Sequence, residues 1–261
     1  MSLAAVTGAS SGLGAVFARK LAARGHNLLL VARRQDRLEQ LAQELSASHG
    51  ITVECGVADL ACPDDLERLA ARLESAADLE VLVNNAGFGS RGRFWETDFA
   101  RQEEMHRVHI TATMTLTRAA LRPMVERNGG GIINVSSVAG IFRSGGNVSY
   151  CATKAWINAF TEALHLELDS AGSRVRVQAL CPGFTYTEFH DVVGVSRDAI
   201  PKSLWMQADF VVEESLKGLG AGRLFVVPGW RYKLLVAVGT KLPLGWRLAA
   251  QRASMHRRER R

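Results

Sequence analysis

Residues 7–14 have the sequence TGASSGLG, and they lie between an apolar run at residues 3–6 and the start of an amphipathic segment. Glycines in a turn from strand to helix let backbone N–H groups approach a pyrophosphate, which the positive end of the helix stabilises. The spacing TGxxxGxG differs from the general dinucleotide fingerprint GxGxxG. Its place directly after the first predicted strand favours a dinucleotide-binding turn over an ordinary loop.

The same turn also matches G-x-S-x-G from Gly8 to Gly12, a pattern typical of the nucleophile elbow of α/β-hydrolases. In that fold the elbow follows several strands, whereas here the pattern follows the first strand. Its position therefore disfavours a hydrolase.

Outward from this turn, short apolar runs alternate with longer amphipathic segments along almost the whole chain. Runs that are apolar on both faces are typical of parallel strands covered by helices. The alternation predicts an α/β fold with a doubly wound, Rossmann-type parallel sheet, helices on both faces and a single domain over residues 1–229. The predicted strands are residues 3–8, 26–32, 52–58, 79–87, 131–137, 175–183 and 223–229, and the predicted helices are residues 11–24, 35–48, 63–77, 99–127, 150–171 and 211–218.

The composition excludes several classes of protein. With 261 residues, 47% of them hydrophobic and 22% charged, the chain is typical of a globular protein and not of a collagen-like, disulfide-scaffold or disordered one. Four cysteines show neither a CxxC pair nor metal-ligand spacing, which predicts reduced thiols, no metal site and a cytoplasmic location. No apolar run approaches the roughly 20 residues of a membrane span, and the first residues lack a secretory pattern.

The positive charge is concentrated near the C-terminus. Of the net charge of +6, residues 230–261 carry +8, from nine basic residues and one acid, which leaves −2 for residues 1–229. The main domain therefore predicts no nucleic-acid surface. Apolar and basic residues alternate in residues 230–261, and Gly239, Pro243 and Gly245 interrupt any long helix there. We expect a basic amphipathic extension that contacts an anionic membrane surface peripherally, covers the substrate cleft or contacts another subunit.

The end of the second predicted strand indicates which dinucleotide binds. A fold that prefers NAD places an acid here to bond the ribose 2′-hydroxyl, whereas an arginine suits the 2′-phosphate of NADP. Ala32 takes the place of the acid, Arg33 and Arg34 follow it, and Asp36 is too far along the chain. The pattern favours NADP(H), and the alternative is that both arginines are solvated surface charges.

A second group of residues supplies proton-transfer chemistry. Ser137 ends the fifth predicted strand, and Tyr150 and Lys154 lie four residues apart on one face of the next helix. A phenol has a pKa near 10, and a nearby ammonium favours its ionised form. Tyr-x-x-x-Lys alone is common by chance, but in this order after a nucleotide turn these residues indicate a hydride-transfer site.

The motifs, taken in order, resemble those of the short-chain dehydrogenases/reductases. The family pattern is matched along residues 6–229 by TGASSGLG, Asp59-Leu60, Asn84-Asn85-Ala86-Gly87, Ser137, Tyr150-x-x-x-Lys154 and Pro182-Gly183-x-x-x-Thr187. Within the family, GGGIINVSSVAG and VPGWRYKLL resemble bacterial-type ketone and acyl reductases.

The resemblance implies an NADP(H)-dependent enzyme that interconverts a carbonyl and an alcohol on a small molecule, assembled as a homodimer or homotetramer. Tyr150 is implied to be the general acid in reduction, Ser137 to polarise the carbonyl, and Lys154 to bind the nicotinamide ribose and lower the pKa of Tyr150. Arg33 is implied to hold the 2′-phosphate, and Asp59 the adenine amino group. Besides Tyr150 and Lys154, the other implied cofactor contacts are Gly8, Ser10, Ser11, Gly12, Leu13, Gly14, Leu60, Asn85, Ala86, Gly87, Pro182, Gly183, Thr185 and Thr187. Asn84 is expected to tie strands together.

One position departs from the family pattern. Members usually carry an asparagine in the helix before the catalytic strand, where it helps hold a water that links the lysine to solvent. Here His109 stands at that position. An imidazole both donates and accepts, so His109 is a candidate catalytic residue in a proton relay, and the alternative is a histidine that packs passively.

Residues 184–206 correspond to the variable substrate lid of the family. Aromatic and apolar residues in this segment suggest an apolar substrate, and they are Phe184, Tyr186, Phe189, Trp205 and Met206. The competing hypothesis is a cofactor-binding sensor or scaffold with little catalysis, motivated by His109 and the basic extension. The complete Ser, Tyr and Lys set argues against it.

Overall fold

The structure is a computed structural model, and it describes residues 1–189, 194 and 200–259. Nine strands occur in the described residues, and seven of them form one fully parallel sheet. The strands are β1 (Leu3–Thr7), β2 (Asn27–Ala32), β3 (Val53–Val57), β4 (Leu79–Asn84), β5 (Gly131–Val135), β6 (Arg176–Leu180), β7 (Thr185–Tyr186), β8 (Met206–Gln207) and β9 (Phe225–Val226). The main sheet has the order β3-β2-β1-β4-β5-β6-β9, and β7 pairs with β8 separately.

Nine α-helices connect or follow these strands in the described residues. They are α1 (Gly12–Ala22), α2 (Gln35–His49), α3 (Pro63–Glu74), α4 (Phe99–His106), α5 (Thr113–Glu126), α6 (Val148–Ser170), α7 (Ala208–Gly220), α8 (Trp230–Gly239) and α9 (Leu244–Glu259). Pro63 begins α3, where the first residues of a helix have no intrahelical partner for an N–H. The fold predicted from the alternating pattern is confirmed.

Apolar clusters cover both faces of the sheet. On one face α1, α2 and α7 pack through residues such as Phe17 and Leu38, which are fully buried. On the other face α3, α5 and α6 pack through residues such as Leu73 and Leu116. Because both faces are covered, the strands are apolar on both sides, as parallel strands between helix layers require.

Two predicted elements differ from the structure. The helix predicted over residues 99–127 is divided into α4 and α5 by a π-helical turn, Arg107–Ala112, which contains His109. The last predicted strand, residues 223–229, is shortened to the two residues of β9. Apolar periodicity does not detect the π-helical turn, because an extra residue in one helical turn keeps the same composition.

The sheet reverses its winding at β1. This strand lies between β2 and β4, with Val6 opposite Leu30 on one side and Val83 on the other. Ligands of open α/β sheets bind in the crevice at the carboxyl ends of strands where the order reverses. Thr7, the last residue of β1, accepts hydrogen bonds through Oγ1 from the N–H groups of Asn85 and Ala86. The glycine-rich turn and the loop after β4 therefore meet at this crevice.

The first helix of the basic extension packs on the main domain. Tyr232 of α8 is buried, and its hydroxyl donates to the carbonyl of Leu204 (2.8 Å) and accepts from the N–H of Phe184 (3.0 Å). Helix α8 ends at Gly239 and α9 begins after Pro243, as predicted, whereas Gly245 lies within the first turn of α9 and does not interrupt it. No helix in the described part of the chain is both long and apolar enough to cross a membrane.

Candidate active site

The glycine-rich turn leaves no room for side chains at its tightest point. Gly8 and Gly12 have φ values of +66° and +54°, a region that favours glycine. A Cβ atom at Gly14 would lie 2.2 Å from the carbonyl oxygen of Gly8. The backbone is therefore packed as closely as a pyrophosphate-binding turn needs. Helix α1 begins in this turn, so the positive end of the helix lies there.

The loop after β4 forms the neighbouring wall. The side-chain amide of Asn85 donates to the carbonyls of Thr7 (2.9 Å) and Gly8 (3.3 Å). A Cβ atom at Gly8 would lie 2.9 Å from the Cα of Ala86. Asn84 instead donates to Asn134 of β5 (2.9 Å), so it ties the two strands together as the sequence suggests.

The two arginines after β2 point in different directions. Arg33 pairs with Glu104 (3.3 Å) and Asp59 (3.8 Å), while Arg34 donates to the hydroxyls of Ser10 (3.0 Å) and Ser11 (2.8 Å). The family resemblance assigns the 2′-phosphate to Arg33, whereas Arg34 is the arginine that touches the glycine-rich turn. The sequence carries no signal for this choice, because both arginines follow the strand directly.

The residues predicted to surround the adenine lie next to one another after β3. Asp59 accepts the N–H of Ala61 through its carboxylate (3.0 Å), and Leu60 is buried in the apolar cluster on that face of the sheet. The pairing of Asp59 with Arg33 places both predicted contacts at the same end of the crevice.

Ser137 and Tyr150 meet at the carboxyl end of β5. Ser137 begins a short 3-10 turn, and its hydroxyl accepts the N–H of Ala139 (3.1 Å). Tyr150 lies in the first turn of α6, and burial raises the pKa of its hydroxyl to about 12. A hydrogen bond with Ser137 acts against burial and lowers this pKa, but burial has the larger effect. The phenol is therefore neutral at pH 7 and able to give up a proton.

Lys154 lies one turn further along α6 and is buried. Its Nζ donates to the carbonyl of Val135 (2.7 Å) and lies 5.7 Å from the centroid of the Tyr150 ring. Burial lowers the pKa of Lys154 to about 7. The sequence predicts that this ammonium lowers the pKa of Tyr150, yet burial shifts both groups toward their neutral forms. The reason is that removal from water penalises both charges more than this contact favours them.

The segment after β6 closes the site from another side. The carbonyl of Pro182 accepts the N–H of Val138 (3.0 Å), and a Cβ atom at Gly183 would overlap the ring of Tyr232. The hydroxyl of Thr185 donates to the carbonyl of Gly183 (3.1 Å). Thr187 reaches the glycine-rich turn, since a Cβ at Gly12 would meet its side chain at 3.4 Å.

Aromatic side chains of the predicted lid contact Tyr150 or one another. Phe189 contacts the ring of Tyr150, with 5.7 Å between the centroids, and Tyr186 stacks on Trp205 at 4.9 Å. Phe184 also contacts Trp205. Of the predicted substrate lid, residues 190–193 and 195–199 lie outside the described residues.

His109 is buried beside these groups, and both of its ring nitrogens have partners. Nε2 accepts the N–H of Phe88 (3.1 Å), and Nδ1 lies 2.9 Å from the hydroxyl of Thr153. Burial, followed by the charges of Lys154 and His106, holds the pKa of His109 well below its ordinary value. These contacts favour a neutral ring that positions its neighbours. They favour the predicted proton relay less.

Fold and site together define a Rossmann-type α/β protein with a glycine-rich turn at the crevice of its sheet and a serine, a tyrosine and a lysine near the carboxyl end of β5. A family model described as short chain dehydrogenase matches residues 2–196. The chain belongs to this family of oxidoreductases.

Relatives and solved structures agree with this assignment. The chain is 33% identical to an uncharacterized oxidoreductase of Myxococcus xanthus over 241 residues, 92% of each chain. It is similar to the short-chain dehydrogenase from Sphingobium yanoikuyae in complex with NADPH, with a TM-score of 0.83, 33% identity and coverage of 94% and 97%. A family member from Burkholderia phymatum in complex with NAD has a TM-score of 0.79 at 26% identity, covering 90% of this chain and 92% of that one.

Proposed function

We propose that this protein is an NADP(H)-dependent reductase that interconverts a carbonyl and an alcohol on an apolar small molecule. The observation that carries the proposal is the place of Tyr150 in the fold: it lies near Ser137 and one helical turn from the buried Lys154, whose Nζ is 5.7 Å from the centroid of its ring, at the crevice of the sheet. A phenol held beside a second hydroxyl can donate a proton to a carbonyl oxygen that both of them contact.

The residues of the crevice fit a phosphorylated dinucleotide. The closely packed backbone around Gly14 and the hydroxyls of Ser10 and Ser11 would bind the phosphates. Arg33 and Arg34 would lie near the ribose. Asp59, Asn85 and the segment from Pro182 to Thr187 would line the remaining length. When bound, the cofactor supplies a hydride at the nicotinamide ring.

Side chains of this protein carry out the proton transfer and stabilise the developing charge. Ser137 donates to the carbonyl oxygen and stabilises the charge that develops there, an electrostatic effect that commonly contributes about 2.7–4 kcal/mol. Tyr150 gives its proton to the same oxygen. Lys154 orients the ribose and, in its protonated form, places positive charge near the phenol. The ring of Phe189, which contacts the ring of Tyr150, helps to exclude water from the reacting atoms.

This function is tested by assaying a panel of aliphatic, cyclic and aromatic carbonyl compounds and measuring the loss of NADPH absorbance with each. Oxidation of NADPH by apolar ketones is the expected result. Stoichiometric NADPH binding without oxidation across the panel would instead favour the sensor or scaffold hypothesis.

Cofactor preference tests the arginines separately. We expect Arg33→Ser and Arg34→Ser each to weaken NADPH binding about 10- to 100-fold, because each removes a charged hydrogen-bond donor to the 2′-phosphate. NADH binding should change less than about threefold. Fluorescence titration with both cofactors measures this, with Arg68→Ser as a control because Arg68 is exposed and pairs with Asp65. Equal losses for NADPH and NADH would refute the assignment.

We also propose a cytoplasmic homodimer or homotetramer. All four cysteines are free thiols, as a reducing compartment requires. An apolar groove between α5 and α6 supports association through these helices, and it is lined in part by Met114, Leu121, Val125, Phe160 and Leu164. Light scattering of the purified protein gives its molar mass.

A further inference from the structure

Large apolar side chains of α8 and α9 face outward. Trp230 is 67% exposed and Trp246 is 72% exposed, which is unusual for tryptophan. We call the set of exposed apolar residues in this region the C-terminal apolar face. It comprises Trp230, Leu234, Leu235, Val238, Leu242, Leu244, Trp246 and Leu248.

The inner side of α8 is already used for packing on the main domain. Tyr232 lies under Gly183, and a Cβ atom at Gly239 would overlap the ring of Phe142. Trp230, Leu234 and Val238 of the C-terminal apolar face lie on the opposite side of this docked helix, and the other members of the face are likewise exposed in the described part of the chain. A group of large exposed apolar side chains within one segment of this kind marks an interaction site.

Basic side chains are interleaved with this face. Arg231, Lys233, Lys241 and Arg252 are exposed, and residues 230–261 carry a net charge of +8. Some of these charges have local contacts: Lys233 lies 3.5 Å from Glu214, and Arg231 lies over the ring of Trp230. Long basic side chains can extend past buried apolar groups to reach phosphate headgroups.

We propose that the C-terminal apolar face binds the surface of an anionic lipid bilayer, with the tryptophans and leucines in the interface and the basic residues on the headgroups. Such binding is peripheral, because no described helix can span a bilayer. A second copy of the chain is a poorer occupant, since it would bring two segments of charge +8 together. The proposal does not depend on the reaction that the enzyme catalyses.

Flotation of the full-length protein with lipid vesicles tests this. We expect binding to phosphatidylcholine vesicles that contain about 30% phosphatidylglycerol, and at least about fivefold weaker binding to phosphatidylcholine alone, since each basic residue near an anionic surface contributes about that factor. The paired change Leu234→Ser with Leu235→Ser should lower binding at least about tenfold, because two exposed leucines no longer enter the interface.

The matched control is Leu166→Ser, which removes a leucine that is 63% exposed on α6. Its vesicle binding should equal that of the parent. Failure of the parent to float with the anionic vesicles would overturn the proposal, as would equal binding by the paired leucine variant. A parent oligomer that the paired variant dissociates, with no vesicle binding, would assign the face to a second copy instead.

A different observation concerns His109 and rests on the proposed function. Because Nε2 accepts the N–H of Phe88, the proton of a neutral ring must be on Nδ1, which then donates to Thr153. The hydroxyl of Thr153 in turn donates to the backbone carbonyl of Tyr150 (3.0 Å). One chain of hydrogen bonds therefore runs from the loop after β4 to the residue that carries the acid.

We infer that His109 is a positioning residue with two separable arms. One arm holds the loop at Phe88, where a Cβ atom at the preceding Gly87 would lie 2.5 Å from His109 Nε2. The other arm reaches Tyr150 through Thr153. The first arm affects the wall of the cofactor crevice, and the second affects the placement of the acid.

Two substitutions distinguish the arms. An asparagine amide overlies Nδ1 of a histidine and a glutamine amide overlies Nε2, so His109→Asn keeps the Thr153 arm and His109→Gln keeps the Phe88 arm. We expect His109→Asn to weaken NADPH binding about tenfold with kcat nearly kept, and His109→Gln to show the reverse, since each loses one buried hydrogen bond. Thr153→Val should match His109→Gln in kcat.

His109→Ala is the reference, and it should lose both properties. If both amide variants behave like His109→Ala, or both like the parent, the two-arm role is wrong. A parent without turnover would overturn the proposed function alone. In that case the NADPH dissociation constants of His109→Gln and His109→Ala still decide whether the Phe88 arm exists.

Discussion

Tyr150→Phe should lower kcat for carbonyl reduction by about 10²–10⁴-fold, the usual contribution of a positioned general acid. The substitution removes one oxygen and leaves the ring, so its contact with Phe189 at 5.7 Å should remain. Ser137 still polarises the carbonyl but cannot replace the lost proton donor. The NADPH dissociation constant should stay within about threefold, because one hydrogen bond at most is lost.

The control for this change is Tyr186→Phe. Tyr186 belongs to the predicted substrate lid, where it stacks on Trp205 and follows Thr185. Loss of its hydroxyl should change kcat less than about threefold, since it is not placed beside Ser137. Stopped-flow measurement of NADPH oxidation compares the two variants. A Tyr150→Phe enzyme that keeps more than a tenth of the parent's kcat would exclude Tyr150 as the acid.

The pKa of Tyr150 also sets the direction of its pH dependence. A hydroxyl with a pKa of about 12 stays protonated through the neutral range, so this group should not limit reduction there. Alcohol oxidation needs the phenolate, and its fraction rises tenfold per pH unit below the pKa. Oxidation should therefore accelerate toward alkaline pH while reduction does not.

The main residues of the site could be predicted from the sequence, because the placement of each one depends on local geometry. Tyr150 and Lys154 share a helix face through their spacing, and Ser137 and the glycine-rich turn both lie at carboxyl ends of parallel strands. These relations need only the fold class, which the alternating apolar pattern indicates.

Other features depend on packing between segments that are distant in sequence. Whether Arg33 or Arg34 touches the glycine-rich turn depends on side-chain directions at the strand end. The burial of His109 in its π-helical turn depends on contacts with the loop at Phe88 and with Thr153 of α6. The raised pKa of Tyr150 depends on burial by residues beyond its own helix, and no local spacing reports that burial.

Gly14→Ala should abolish tight NADPH binding and destabilise the fold, although alanine is the better helix former. Within α1 the substitution would favour the helix by about 0.8–1 kcal/mol. The new Cβ atom, however, would lie 2.2 Å from the carbonyl oxygen of Gly8 and 2.6 Å from the side-chain nitrogen of Asn85. The carbonyl is backbone, so the turn itself must move, and such overpacking typically costs about 1–3 kcal/mol.

Gly220→Ala separates the clash from the helix preference. Gly220 also lies in a helix, α7, but a Cβ atom there would meet nothing within 4 Å. This variant should therefore be as stable as the parent or more stable, by up to about 1 kcal/mol. Gly14→Ala should lower Tm by roughly 2–12 °C, since 1 kcal/mol corresponds to about 2–4 °C at this chain length. Its NADPH affinity should fall by more than about tenfold, because the displaced N–H groups no longer point at the pyrophosphate. If Gly14→Ala binds NADPH as tightly as Gly220→Ala does, the glycine-rich turn is not the phosphate site, because a moved backbone cannot keep hydrogen bonds that depend on its position.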